Sequence, residues 1–199
     1  GSEMCIRDRL YEEGESLFRQ KAFAAAMPPL QAFIKQTDAE GAPVSAAGNK
    51  EEAEYMLVCA EYELRNPNSI ELLREYLDAY PDTPHANRIC ALIASAYFFE
   101  GKYDDALAMF NSSRLDLLSN EERDDMTYRL ATCYLKTGNV KEAAIWFETL
   151  RSTGSRYTAD CTYYLAYIRY SQQRYDDALS GFLSLQDNAK YEALVPVSY

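Results

Sequence analysis

Residues 101–110 read GKYDDALAMF, residues 173–182 read QRYDDALSGF, and residues 138–147 between them read GNVKEAAIWF. The outer two align without a gap. Anchored on Ala106, Ala143 and Ala178, the three segments lie 37 and 35 residues apart. A large apolar residue follows each anchor by four (Phe110, Phe147, Phe182), and a small one precedes it by twelve (Ala94, Ala131, Ala166). The residues sixteen, twelve and nine before each anchor are Cys90/Ala94/Tyr97, Thr127/Ala131/Tyr134 and Thr162/Ala166/Arg169. That i, i+4, i+7 spacing is one stripe of a helix. A small residue in mid-stripe lets a second helix come close, and the anchor alanine plays the same part opposite. Gly101 and Gly138 stand just past the first helix, where a left-handed residue turns the chain. In the last unit Arg169 and Gln173 replace the tyrosine and the glycine.

Two more units lie upstream. In the first the anchor is Ala26, with Gly14 twelve before, Phe23 three before and Leu30 four after; Pro28-Pro29 predict that its second helix starts late or bends. In the second, Leu72 as anchor puts Ala60 twelve before, Tyr76 four after, and Ala106 34 residues on. The gap of 46 back to Ala26 implies an insertion, and TDAEGAPVSAAGNK at 37–50 has the composition of a loop. Asn68…Glu71 and Ser119…Glu122 have capping-box spacing, and Thr83-Pro84 reads as a cap followed by a proline at the first helical position.

The pattern resembles the tetratricopeptide repeat (TPR) family, a helix–turn–helix unit of about 34 residues. The resemblance implies an all-α, TPR-like α-solenoid, a right-handed superhelix of antiparallel helix pairs. The expected pairs are 10–37, 50–80, 84–118, 121–154 and 156–187, with a truncated sixth first helix at 188–195. Residues 80–107 also resemble the repeat subtype of bacterial cell-envelope assembly lipoproteins, which implies a periplasmic or envelope setting, with the cytoplasm as the alternative. Residues 1–9 look like a cloning scar and an adapter-derived leader (Met4-Cys5-Ile6-Arg7-Asp8-Arg9), and 196–199 like a similar tail, so the chain reads as a fragment of a longer protein. Self-association through an uncapped C-terminal unit is therefore expected.

Charge narrows the partners. The net charge of −11 and the absence of a basic stripe argue against nucleic acid and anionic lipid. No apolar run reaches the roughly 18–20 residues that span a bilayer. What remains is a protein or peptide.

In the resembled family the first helix of each pair lines a concave groove. Its groove-facing positions would be Tyr11/Glu15/Phe18, Leu57/Glu61/Leu64, Ala91/Ser95/Phe98, Tyr128/Thr132/Leu135 and Tyr163/Tyr167/Tyr170, with Phe99 at the edge. The aromatics Phe98, Phe99, Tyr128, Tyr163, Tyr167 and Tyr170 are the candidate binding residues, since aromatic rings give large contact area at low entropy cost. The bland reading is that they pack against neighbouring helices. The Lys/Asn clamp of chaperone-binding members is absent from the matching positions.

No catalytic, cofactor or metal site is expected. The four cysteines past the leader (Cys59, Cys90, Cys133, Cys161) fall at different helical phases and include no CxxC pair, so they do not converge on one metal. His85, the one histidine, has no ligand-spaced partner and reads as a surface residue; Trp146 reads as packing or interface. Asp104-Asp105 and Asp176-Asp177 suit helix N-termini. The function implied is a non-enzymatic protein-interaction scaffold. The competing reading is the recruiting arm of a larger enzyme whose catalytic domain lies elsewhere.

Overall fold

A computed structural model describes residues 3–40, 44–188 and 190. Ten α-helices and no strand occur among them: α1 (Glu3–Arg19), α2 (Phe23–Glu40), α3 (Val44–Glu63), α4 (Ser69–Ala79), α5 (Ala86–Phe99), α6 (Tyr103–Asn111), α7 (Asn120–Lys136), α8 (Val140–Ser152), α9 (Thr158–Ser171) and α10 (Tyr175–Leu183), with a 3-10 turn at Leu115–Leu117. The chain divides into two compact units, 1–96 and 97–199. In the first, α1 packs on α2 and α3, and α3 on α2 and α4. In the second, α6, α7, α8, α9 and α10 pack each on the next.

The same turn closes every first helix. Lys21, Arg65, Gly101, Gly138 and Gln173 all take positive φ, between 59° and 83°. The residue after each donates its N–H five residues back: Ala22 to Leu17, Asn66 to Glu61, Lys102 to Tyr97, Asn139 to Tyr134 and Arg174 to Arg169. This is the Schellman arrangement, which satisfies a carbonyl the helix end leaves over. Glycine does it without steric cost at two positions. The other three accept a left-handed backbone that costs a non-glycine about 1 kcal/mol.

Second helices bury a repeated i, i+4, i+7 set: Ala26/Leu30/Phe33 in α2 and Ala143/Phe147/Leu150 in α8, all within 2 % of full burial. In α4 the buried set is Ser69/Leu73/Tyr76, so the anchor of the second pair is Ser69 and not Leu72, which is half-buried. Small residues admit close approach where helices meet. A Cβ on Gly14 would lie 2.6 Å from Leu30 Cγ, and one on Gly181 would lie 2.8 Å from the Ala166 Cβ.

Several local expectations change. The stretch 37–50 is mostly helical, because α2 runs to Glu40 and α3 begins at Val44; its Ala, Glu and Lys content favours helix. Pro28 and Pro29 sit inside α2, which starts on time at Phe23. The carbonyls that they cannot serve belong to Ala24 and Ala25, which are exposed and open to water. Asn68 makes no side-chain cap; Asn66 Oδ1 instead accepts the Asn68 N–H at 2.9 Å. Ser119 does cap, accepting from Glu122 N–H at 3.3 Å and donating to its carboxylate at 3.1 Å. Thr83-Pro84 lies ahead of α5, which begins at Ala86; Thr83 Oγ1 accepts the His85 N–H at 3.2 Å. Helix α1 continues back through the residues read as a leader. The expected sixth helix and the tail lie outside the described residues, apart from Asn188 and Lys190.

Candidate protein-interaction surface

The candidate residues in the C-terminal unit differ sharply in how free they are. On α9, Tyr163, Tyr167 and Tyr170 follow one stripe. Tyr167 and Tyr170 are 49 % and 58 % exposed, and Tyr170 meets Tyr175 edge-on at 5.5 Å. Tyr163 is half-buried, edge-on to Phe182 at 5.8 Å and to Tyr164 at 5.5 Å. At the end of α5, Phe99 is 47 % exposed with the Arg129 guanidinium 4.8 Å above its ring. A cation over an aromatic face holds the ring without hiding its other side. Phe98 is half-buried against Phe99 and Tyr103.

Tyr128 is committed to packing. Its ring stacks on Tyr157 at 4.4 Å and lies 6.3 Å from Phe147. Burial, then the neighbouring Tyr164, holds its phenol well above the usual tyrosine range. Tyr157 in turn donates to Asp125 at 2.8 Å, and Arg156 pairs with the same carboxylate. These contacts lock α7 to the start of α9.

Other expected groove positions are occupied by the fold. Ala91 and Ser95 are fully buried, and Ser95 Oγ accepts the Tyr62 hydroxyl at 2.6 Å. Thr132 is buried and donates to the Tyr128 carbonyl at 2.8 Å. Tyr11 packs on Phe33 at 5.2 Å and Phe18 on Phe23 at 5.5 Å. Leu64 is exposed, while Leu57 and Glu61 line a hollow with α2 and α4.

Two further contributors were not picked out from the sequence as binding residues. Arg129 supplies the cation over Phe99. Tyr175, Leu179 and Leu183 form an exposed i, i+4, i+8 stripe on α10 that continues from Tyr170. Their signal in the sequence is an apolar residue one past the anchor and another four later, beside the core-facing stripe that Ala178 marks. Two hollows also open in this unit, of about 580 Å³ between α8 and α9 and about 390 Å³ between α7, α8 and the 3-10 turn. None of the six candidate aromatics lines either.

Chemistry-bearing groups are tied into structure. Cys59, Cys133 and Cys161 are buried and Cys90 is half-buried. Burial pushes the Cys133 and Cys161 thiols up to about 12, which disfavours the reactive thiolate. Among the described residues, no three His, Cys, Asp or Glu side chains are placed to hold a metal ion. His85 is more engaged than a surface residue: its Nε2 lies 2.6 Å from Glu52 Oε1 and its ring stacks on Tyr55 at 3.6 Å. Trp146 packs at the margin of the core around Ala131, Ala143 and Phe147. No described helix is long and apolar enough to cross a membrane.

A family model for the tetratricopeptide repeat matches residues 91–156. No curated protein matches the chain. Among solved structures, MamA AMB-1 is 20 % identical over 96 % of this chain and 97 % of its own, with a TM-score of 0.65. PilF of Pseudomonas aeruginosa is 16 % identical over 92 % and 76 %, with a TM-score of 0.60. The repeats of a putative kinesin light chain from Podosopora anserina are 15 % identical over 97 % and 100 %, with a TM-score of 0.61. At these identities the likeness is one of fold, an all-α solenoid of helix pairs.

Proposed function

We propose that this chain, a tetratricopeptide-repeat protein, is a scaffold that binds a segment of another protein across the exposed aromatics of its C-terminal unit. The supporting observation is the contrast within α9. Ala166 is fully buried, while the adjacent Tyr167 and, three further on, Tyr170 are 49 % and 58 % exposed. Large rings held at a surface on a packed helix lose little freedom on binding, so less of the burial energy is spent on ordering them. Phe99, held beneath the Arg129 guanidinium, adds a second aromatic anchor. Tyr163 and Phe98 support these rings, and Tyr128 fixes the helices beneath them. No bond-making step is assigned to any side chain. The resemblance of residues 80–107 to envelope lipoprotein repeats supports a bacterial periplasmic or envelope setting.

The test is affinity chromatography on immobilised wild-type chain beside a Tyr167→Ser/Tyr170→Ser variant of unchanged melting temperature. A protein retained by the first and lost from the second supports the surface. Equal retention by both sends the binding elsewhere.

A further inference from the structure

We propose that the hollow enclosed by α2, α3 and α4 is a second docking site, one that takes a cationic amphipathic segment of a partner protein. It belongs to the N-terminal unit and shares no residue with the aromatic surface. Its volume is about 340 Å³, room for one or two side chains.

The hollow arises from the sequence of α3. Residues 55–60, YMLVCA, are apolar without interruption, so they surround the helix instead of forming one stripe. Met56, Cys59 and Ala60 are buried by neighbours, but Leu57 and Val58 remain half-exposed. Because α4 is turned to bury Ser69, Leu73 and Tyr76, Leu72 is left on the lining with them. That makes an apolar floor.

The rim carries one sign of charge. Glu54, Glu61 and Glu75 line the hollow, and among the described residues no Lys or Arg does. Between residues 51 and 63 the sequence has five glutamates and no cation. The carboxylates are held in place: Tyr80 donates to Glu54, and Asn66 donates to Glu61 at 2.6 Å. Lys50 lies 4.0 Å from Glu54 and makes its closer pair with Asp38 at 2.5 Å. An anionic or purely apolar occupant would strip water from three carboxylates and return nothing. A lysine or arginine fits both parts, its methylene stem on Leu57, Val58 and Leu72 and its head among the glutamates. The net charge of −11 attracts such a partner from a distance.

The probe is a fluorescein-labelled helical peptide of leucine and lysine, followed by fluorescence anisotropy with the whole chain. Two relatives of it have glutamate for lysine or alanine for leucine. Glu61→Gln/Glu75→Gln should weaken binding roughly tenfold. Asp104→Asn/Asp105→Asn removes the same charge elsewhere and should leave it nearly unchanged, as should Tyr167→Ser. Both altered peptides should bind much more weakly. Equal loss in the Asp104/Asp105 variant, or equal binding by the alanine peptide, would mean diffuse attraction to an acidic protein and overturns the site. An unaffected Glu61/Glu75 variant overturns it too.

Discussion

Adding one methyl group at Gly14 should destabilise the protein, although glycine-to-alanine changes within helices normally do the opposite. At an unhindered helix position the exchange gains about 1 kcal/mol of helix propensity. Here the new Cβ would sit 2.6 Å from both Cγ and Cδ2 of Leu30, where carbon atoms ordinarily rest about 3.5–4.0 Å apart. Rotating one methyl does not help, because Cγ is hit as well. Leu30 is fully buried, with no open side to move into. Overpacking of this kind costs about 1–3 kcal/mol, and the double hit places it near the top of that range. The net loss should be about 1–2 kcal/mol, or roughly 2–8 °C in melting temperature for a chain of this size. Thermal melts followed by circular dichroism would read it. The decisive comparison is the same change in a Leu30→Ala background. With the leucine truncated the clash is gone, so Gly14→Ala should become stabilising, a reversal of sign between touching residues. A Gly14→Ala single variant as stable as wild type, or destabilisation that persists without Leu30, would refute the close-approach reasoning.

Ala131 is fully buried beside Ala143 and Phe147, so Ala131→Leu should cost about 1–3 kcal/mol, whereas Tyr167→Ser should move the melting temperature far less; equal shifts would make Tyr167 a core residue. Gln173→Gly should raise stability by about 0.5–1 kcal/mol, since Gln173 holds a φ of 62° that glycine adopts freely; a lower melting temperature would count against the strained turn. Stability should fall in alkali. The Cys133 and Cys161 thiols are raised to about 12 when folded, against about 8.5 unfolded, so their contribution is complete below roughly pH 8.5 and drains away as pH rises towards 12. The buried phenols of Tyr55, Tyr76 and Tyr128, also raised, act in the same direction from about pH 10. Melts from pH 7 to 11 should therefore fall less steeply for Cys133→Ala/Cys161→Ala than for wild type, and parallel curves would contradict this.

The helix pairs were legible because four of the five anchors are alanines, the last three of them 37 and 35 residues apart, and only a packing demand repeats a small residue that way. Turn geometry was half-legible. Gly101 and Gly138 announce a left-handed residue, but Lys21, Arg65 and Gln173 adopt the same φ with nothing in their side chains to say so. Position in the repeat, not residue type, fixes that backbone. The second anchor was misplaced by three residues because Leu72 and Leu73 are both apolar and Tyr76 suits either phase. Only the orientation of α4 against α3 selects Ser69 and Leu73. The surface was hardest to read. Ala91, Ser95 and Thr132 occupy the same repeat positions as Tyr163 and Tyr167, yet the fold consumes them. A stripe gives the direction of a side chain and not the neighbour that covers it: Tyr62 reaches Ser95 from 33 residues away.

The most direct test of the interaction surface is site-specific photo-crosslinking. Benzoylphenylalanine would be placed singly at Tyr167, at Tyr170 and at Leu117, which is 63 % exposed in the 3-10 turn, and each variant irradiated in its native host lysate. A docking surface predicts the same discrete adduct at Tyr167 and Tyr170, abolished by excess unlabelled wild-type chain and absent at Leu117. No adduct at either tyrosine, or an identical ladder at Leu117, would contradict it.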